Sequence, residues 1–160
     1  MAIHKLYIDE FDEIDYELIA IHTTLEDYRL AYFLNQQLPI LLNKCKDELQ
    51  VATKSGDAHF SKFNFENLKD EVSWTLIQNK NEITVQKKDN ESNLFANTFL
   101  EISTKVYFLP EFKKVDYFLK VENAAIDAEK IIERLQTIKR VSTAYKVDTD
   151  TIKSKNNLIF

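Results

Sequence analysis

The scarcity of glycine limits what this chain can fold into more than any other feature. It has one glycine and two prolines in 160 residues, whereas average usage predicts about eleven glycines and about eight prolines at this length. Phosphate-binding loops, dinucleotide-binding fingerprints and the nucleophile elbow of hydrolases each need more than one glycine at fixed spacing. Gly56 alone cannot supply them. The sequence therefore excludes these three motifs and predicts turns built from Asn, Asp and Lys.

The remaining composition is that of a globular protein. Hydrophobic residues make up 44% of the chain and aromatic residues 12%, and a domain of this length buries roughly two-thirds of the surface of its unfolded chain. We predict a single α+β domain over residues 1–160. Residues 148–160 form a C-terminal tail that ends in Leu158-Ile159-Phe160, and we expect this apolar end to dock on the domain or on a partner.

Charge and cysteine content limit the partners and the compartment. The net charge is −5, and only three of the 21 basic residues are arginines, which argues against binding along a nucleic-acid backbone. Cys45 is the only cysteine, which excludes an intrachain disulfide and sites with several thiolates. The sequence shows no signal-peptide core and no apolar run near the roughly 20 residues that span a bilayer. We predict a cytoplasmic protein with no membrane segment and no cofactor.

Alternating hydrophobic residues predict a series of strands. These are His4–Ile8, Tyr16–Ile21, Ile40–Asn43, Phe60–Phe65, Val72–Gln78, Ile83–Lys87, Lys105–Leu109, Val115–Glu122 and Val141–Val147. Asn79-Lys80-Asn81 predicts a hairpin turn. Six carboxylates lie between Asp9 and Glu17; they form either a cation site or, as we favour, the solvated tip of a hairpin.

A first helix is predicted to run to about Gln37, with Thr24 as the N-cap residue and Asp27 in the capping-box position. Its projected apolar sector consists of Leu30, Ala31, Leu34 and Leu38. Two residues break this pattern, because Asp27 falls within the apolar sector and Phe33 falls within the polar one.

Both exceptions are candidates for function. A carboxylate in an apolar sector must be paired, capped or protonated, so Asp27 is either satisfied by the first turn of the helix or binds a ligand together with Tyr28 and Arg29. Phe33, with Tyr28 and Tyr32 beside it, makes the helix apolar around most of its circumference. The tail or a second copy of the chain could cover this surface, and we predict a homodimer through the first helix.

A second helix is predicted from Ala124 to about Thr137, and it suggests an internal repeat. An offset of 101 positions, from residue 15 to residue 116, aligns Asp15–Leu18 with Asp116–Leu119 and one helix with the other. Two strand–helix–strand halves would place both helices on one face of an antiparallel or mixed sheet, as in ferredoxin-like folds. The alternative is two unrelated strand–helix units, and the fold class is α+β in either case.

The segment Leu109–Tyr117, with the sequence LPEFKKVDY, resembles the signature of the bacterial IPExxxVDY family, with Leu in place of the first Ile. Further similarity covers essentially the whole chain, at Asp15-Tyr16, Leu18-Ile19, Leu25–Leu30, Leu34-Asn35 and Leu158–Phe160. The family has no established function, so the resemblance implies no activity. It associates the chain with genes for ribonuclease III, fatty-acid synthesis proteins and pyruvate kinase, and RNA metabolism is therefore one alternative.

The residues of this segment have a structural and a functional interpretation. In the structural one, Pro110 ends a strand, Glu111 accepts hydrogen bonds from a following turn, and Asp116 caps a turn. Val115 and Tyr117 would then point the same way into the core. In the functional one, Glu111 and Asp116 converge with Asp27 on a polar site.

These observations favour a non-catalytic interaction or small-ligand-binding module over an enzyme. The alternatives are an accessory protein in RNA metabolism and an enzyme that uses Asp27, Glu111 and Asp116. We predict no metal site, because the three histidines lack ligand spacing. The candidate ligand or partner surface consists of Asp27, Tyr28, Arg29, Tyr32, Phe33, Glu111, Asp116 and Tyr117.

Overall fold

A computed structural model describes residues 16–88 and 99–160. Within these ranges the chain forms ten strands and two α-helices. In chain order they are β1 (Tyr16–Thr23), α1 (Asp27–Gln37), β2 (Asn43–Lys44), β3 (Leu49–Thr53), β4 (Gly56–Phe60), β5 (Lys62–Asn67), β6 (Val72–Gln78), β7 (Lys80–Lys88), β8 (Phe99–Tyr107), β9 (Tyr117–Glu122), α2 (Ala128–Gln136) and β10 (Val141–Lys146). The predicted strand His4–Ile8 and most of the acidic run lie outside the described residues.

The main sheet has six strands in the order β10-β1-β9-β6-β5-β2, and every neighbouring pair is antiparallel. The predicted α+β class is confirmed, and the antiparallel option is the one observed. The strands β10-β1-β9-β6, with α1 after β1 and α2 between β9 and β10, have the order and directions of a ferredoxin-like unit. Two hairpins, β3–β4 and β7–β8, are inserted into this unit.

Both helices pack on one face of the sheet, as predicted. The buried side chains of α1, together with Ile131 and Leu135 of α2, form a cluster with Ile19 and Ile21 of β1. The intervening residues Leu18 and Ala20 belong to a second cluster on the opposite face, because side chains alternate along a strand. The inserted hairpins, the segment before β9 and the C-terminal tail contribute to this second cluster.

The predicted repeat aligns the helices but not the strands. At the offset of 101 residues, Leu34 of α1 meets Leu135 of α2, and both are buried on the helix face. At the same offset Leu18 meets Leu119, yet these two side chains lie on opposite faces of the sheet. A shift by one residue reverses every side chain of a strand, so the strand part of the alignment is out of register.

The predicted hairpin at Asn79-Lys80-Asn81 is wrong. β7 leaves the main sheet and pairs with β8 instead of with β6. Asn79 lies fully buried at this point. Its backbone amide donates to the carbonyl of Asp116 at 3.0 Å, and its backbone carbonyl accepts from the amide of Phe108 at 2.9 Å. Asn79 is therefore a junction between β6 and the segment that leads into β9, and not an exposed turn residue.

Turns without glycine are built as the composition predicts. Gly56 has a φ of 128° at the turn of the β3–β4 hairpin, a conformation that L side chains rarely adopt. Of the other residues in the described part of the chain, two take positive φ, Glu71 at 54° and Asn123 at 56°. The Asn123 side-chain amide donates to the carbonyl of Glu71 at 3.0 Å, so these two turns stabilise each other across the end of the sheet.

The start of α1 differs from the prediction. Glu26 is the N-cap residue and makes no side-chain cap bond, so the predicted cap at Thr24 is wrong. Thr23 fixes this corner instead, because its hydroxyl accepts from the amide of Leu25 at 3.1 Å and donates to the carbonyl of Arg140 at 2.8 Å. The hydroxyl therefore ties the beginning of α1 to the residue before β10.

Candidate binding groove

A groove of about 850 Å³ lies along the outer side of α1. One wall is α1 itself, and the other is the short segment between α2 and β10. The lining residues are Leu25, Tyr28, Arg29, Tyr32, Phe33, Gln36, Gln37, Thr137, Ile138, Lys139 and Arg140. The α1 residues recur every three or four positions, which places them along one side of a helix.

The two walls meet because of the strand order. β10 pairs with β1, and Val141 lies opposite Thr23, so the residues before β10 must pass the start of α1. At the other end of the groove, the Arg134 guanidinium lies 3.5 Å from the carbonyl of Gln37. Arg140 therefore marks the end near the first turn of α1, and Arg134 lies outside the groove at its far end.

The α1 wall is aromatic. Tyr28 is 55% exposed and Tyr32 is 60% exposed, although large aromatic side chains gain most from burial. Phe33 is partly buried and packs against the helix-face core, and its ring meets that of Tyr32 edge to face at 5.6 Å. The side-chain amide of Gln36 donates to the Tyr32 hydroxyl at 2.8 Å, which holds the Tyr32 ring in place on α1. The exception that Phe33 makes to the helical pattern is thus explained by its place in the groove.

The groove is positively charged in a chain whose net charge is −5. Among the residues that the structure describes, its lining contains Arg29, Lys139 and Arg140 and no carboxylate. Within the described residues, none of these three cations forms an ion pair. An aromatic surface with unpaired cations can bind an apolar body and an anionic group together.

The structure divides the predicted surface. Tyr28, Arg29, Tyr32 and Phe33 line the groove. The other four residues, Asp27, Glu111, Asp116 and Tyr117, do not line it.

The Asp27 carboxylate is bound by the first turn of α1 and lies near Lys44. Its side chain is 23% exposed, one carboxylate oxygen accepts from the amide of Tyr28 at 2.7 Å, and the other lies 3.8 Å from the Lys44 ammonium. Amides in the first turn of a helix favour a negative charge there. The carboxylate is therefore capped and loosely paired, in agreement with its structural interpretation.

Asp116 and Tyr117 fix the corner from which α1 starts. The Asp116 carboxylate accepts from the amide of Thr23 at 2.9 Å and from the Lys80 ammonium at 2.8 Å. The Tyr117 hydroxyl donates to the carbonyl of Leu25 at 2.9 Å. Burial, together with the negative charges of Asp27 and Asp116, raises the pKa of Tyr117. The phenol therefore stays neutral and keeps donating to the Leu25 carbonyl. This bond fixes the start of α1 and so positions the aromatic wall.

Glu111 binds the C-terminal tail. One of its carboxylate oxygens accepts from the amides of Lys153 and Ser154 at 2.8 and 2.7 Å and from the Ser154 hydroxyl at 2.7 Å. The predicted bond to a following turn is wrong, because the partners lie about forty positions away in the chain. Val115 and Tyr117 also differ from the prediction, since they belong to the clusters on opposite faces.

The predicted convergence of the three carboxylates is not observed. Within the described residues, Glu111, Asp116 and Asp27 share no hydrogen-bond partner. Asp27 and Asp116 both lie near Tyr117, whereas Glu111 holds the tail. The arrangement supports structural roles for all three groups.

The bonds to Glu111 make the attachment of the tail depend on pH. Burial alone would raise the pKa of Glu111, but hydrogen bonds from Ser154 and Lys153 outweigh it and the net pKa is lowered. A lowered folded-state pKa stabilises the fold above the ordinary value of 4.5, and this contribution is lost as the pH falls through the folded-state pKa. We expect the amide proton shifts of Lys153 and Ser154 to titrate together in NMR spectra, with a midpoint below 4.5.

Two carboxamide variants test the source of this titration. Glu111→Gln should abolish it, and Glu133→Gln, at an exposed position of α2, should leave it unchanged. Amide shifts that do not respond to pH in the wild-type protein would contradict the bonding of Lys153 and Ser154 to the Glu111 carboxylate.

Sequence reasoning missed the second wall of the groove. The predicted second helix ends at about Thr137, and Ile138, Lys139 and Arg140 are not among the predicted site residues. The only available signal was that two of the three arginines, Arg134 and Arg140, lie close together in the sequence. Their position beside α1 depends on the pairing of β10 with β1, which local patterns do not specify.

No family model, curated protein or solved structure matches this chain. The resemblance of Leu109–Tyr117 to the IPExxxVDY signature therefore stays a prediction. Among residues 16–88 and 99–160, no group of three or more His, Cys, Asp or Glu side chains is placed to hold a metal ion. The helices of these ranges are too short and too polar to cross a membrane.

Proposed function

We propose that the protein is a non-catalytic module that binds a small ligand in the groove along α1. The observation that carries this proposal is the aromatic wall, where Tyr28 and Tyr32 remain more than half exposed beside a concave surface. Ligand sites are concave, largely apolar and typically about 300–1,000 Å³ in volume, a range that includes this groove. A cytoplasmic location is part of the proposal and is supported by the lone Cys45.

The distribution of the carboxylates supports binding rather than catalysis. An enzyme that uses Asp27, Glu111 and Asp116 as its acid–base groups needs at least one of these carboxylates to face the substrate. No carboxylate is among the described lining residues of the groove, and Asp27, Glu111 and Asp116 accept hydrogen bonds from backbone amides. Their substitution is therefore expected to affect stability before it affects binding.

An accessory role in RNA metabolism has weaker support. Lys80, Lys105 and Lys113 surround a shallow depression at the base of β7 and β8. Lys80 is already paired with Asp116 at 2.8 Å, and Glu82 lies among the lysines. This patch therefore presents fewer free cations than a groove that follows a phosphate backbone requires.

A homodimer through α1 is the second candidate, and the exposed rings of Tyr28 and Tyr32 favour it. A two-fold contact places the same surface of both copies together. It would therefore bring together two surfaces that each carry Arg29, Lys139 and Arg140, and like charges within an interface oppose association. The charge of the groove thus favours a ligand over a second copy.

Substitution of Phe33 separates the two candidates. We expect the wild-type protein to bind the neutral fluorophore phenylnaphthylamine, with Phe33→Glu and Tyr32→Ala weakening binding roughly tenfold because each removes apolar contact area from the wall. Fluorescence titration measures the affinity, and Tyr145→Ala, which removes an exposed ring outside the groove, should leave it unchanged. Size-exclusion chromatography with light scattering on the same samples gives the mass.

A monomeric wild-type protein that binds the fluorophore supports the ligand-binding proposal and excludes the dimer. A dimer that dissociates in Phe33→Glu, with no fluorophore bound to the wild-type protein, would assign the groove to a second copy. Equal binding by the wild-type protein, Phe33→Glu and Tyr32→Ala would contradict the assignment of the site.

A further inference from the structure

We propose that the groove selects an anionic ligand with an aromatic body, whose carboxylate or phosphate is held by Arg29 and Arg140. This inference rests on the proposed function and adds the chemical class of the ligand. It also gives these two arginines a role that the fold itself does not require.

The two arginines lie at the same end of the groove. Arg29 is in the first turn of α1. The carbonyl of Arg140 accepts from Thr23 at 2.8 Å, and Thr23 in turn binds the amide of Leu25, so Arg140 is held beside this first turn. Both side chains line the groove together with Leu25.

Neither arginine is satisfied by another residue that the structure describes. In the described ranges, the side chains of Arg29 and Arg140 make no ion pair and no hydrogen bond, whereas the Arg134 guanidinium contacts the Gln37 carbonyl. Asp27 is close in sequence, but its oxygens face the Tyr28 amide and Lys44. A guanidinium binds carboxylate or phosphate through parallel N–H donors, and these two are free to do so.

The rest of the groove fits an apolar, planar body. Tyr28, Tyr32 and Phe33 form the wall next to the arginines, and the far end carries the neutral amides of Gln36 and Gln37. Lys139 precedes Arg140 on the opposite wall, so the positive charge lies toward the end that holds the two arginines, and the aromatic surface lies along the α1 wall. This order matches a ligand with an anionic group at one end of an aromatic ring system, since rings stack on aromatic side chains and cations lie over their faces.

Two matched fluorophores test the charge preference. Anilinonaphthalene sulfonate carries an anionic group on an aromatic body, and phenylnaphthylamine presents a similar body without the charge. We expect the wild-type protein to bind the anionic probe about tenfold more tightly, and only the anionic probe should lose affinity as salt is raised from low to physiological concentration. Naphthoate and naphthyl phosphate should displace it, and naphthalene methanol should displace it only at about tenfold higher concentration. The relative potencies of the two anions distinguish a carboxylate from a phosphate ligand.

Arginine variants locate the preference. Arg29→Gln and Arg140→Gln should each weaken binding of the anionic probe about five- to tenfold and leave the neutral probe unaffected. Arg134→Gln, which removes the same charge outside the groove, should change neither. Circular dichroism and thermal unfolding check that each variant is folded. All three side chains are exposed, and Arg134→Gln removes one long contact, to the Gln37 carbonyl at 3.5 Å.

The outcomes separate the two proposals. Equal affinity for both probes, with Tyr32→Ala weakening both, would overturn the anion preference and leave the groove as an apolar binding site. Failure of both probes to bind would overturn the proposed function as well. A loss of anionic binding in Arg134→Gln equal to that in Arg29→Gln would show a general charge effect and would also overturn the assignment.

Discussion

Asn79→Ala is expected to destabilise the protein by about 3–5 kcal/mol, which is a large part of the stability of a typical domain. The Asn79 side-chain amide donates to the carbonyls of Phe112 and Val115 at 2.9 and 2.8 Å, and its oxygen accepts from the amide of Leu109 at 2.8 Å. Alanine would leave the Val115 carbonyl and the Leu109 amide without these partners, whereas the Phe112 carbonyl would keep the bond from the Val115 amide at 3.1 Å. A buried polar group without a partner costs roughly 1–3 kcal/mol.

Urea unfolding followed by Trp74 fluorescence measures this effect, because Trp74 is the only tryptophan and is buried. Asn43→Ala is the matched control, since Asn43 is exposed and makes one side-chain bond, to the carbonyl of Leu41 at 3.2 Å; it should change stability by less than about 0.5 kcal/mol.

Asn79→Asp distinguishes lost hydrogen bonds from lost volume. Aspartate has nearly the shape of asparagine and can still accept from Leu109, but it cannot donate to the two carbonyls while ionised. We expect it to be at least as destabilising as Asn79→Ala at pH 7, because it also buries a charge. Near wild-type stability for Asn79→Asp would show that the two donated bonds are unimportant.

Leu158→Ala is expected to cost about 2–4 kcal/mol, the usual range for truncation of a buried leucine. Leu158 is 1% exposed and packs in the cluster on the face opposite the helices. Its carbonyl also accepts from the Lys120 ammonium at 2.9 Å, a bond that the substitution does not remove. The measured loss should therefore report the packing of the tail alone.

The next residue provides the control. Ile159 is 77% exposed, so Ile159→Ala should change the free energy of unfolding by less than about 0.5 kcal/mol. Similar small losses for both variants would contradict the docking of the tail on this face. Similar large losses would show that Ile159 is also covered in solution.

Local patterns predicted the elements better than their arrangement. The stripe of Leu30 and Leu34 identified the buried side of α1, and the alternation over Val72–Gln78 gave β6 with its observed bounds. Asn79 shows the limit, because asparagine after a strand ordinarily indicates a turn. Here the Asn79 side chain is buried and bonds to backbone groups of a segment about thirty residues away. The local sequence around Asn79 does not specify these partners.

The candidate site was predicted only in part, because local patterns identify residues on one helix but not the segments that pack beside it. Phe33 was recognised because it breaks the pattern of its own helix, and Tyr28, Arg29 and Tyr32 follow from helical geometry. Arg140 could not be found in this way, because only the pairing of β10 with β1 brings it beside α1. Asp27, Asp116 and Glu111 were grouped by chemistry alone, and the fold gives each of them separate backbone partners.

The position of β1 also limits when the groove can form during synthesis. β1 lies between β9 and β10, so its two neighbours come from residues 117–146. The ribosome must add more than ninety residues after β1 before it makes these strands. Contacts so distant in sequence slow folding. Until β10 has been made, α1 lacks the opposite wall of the groove, and its aromatic side is open to solvent and to chaperones. Ligand binding should therefore report completion of the sheet during translation.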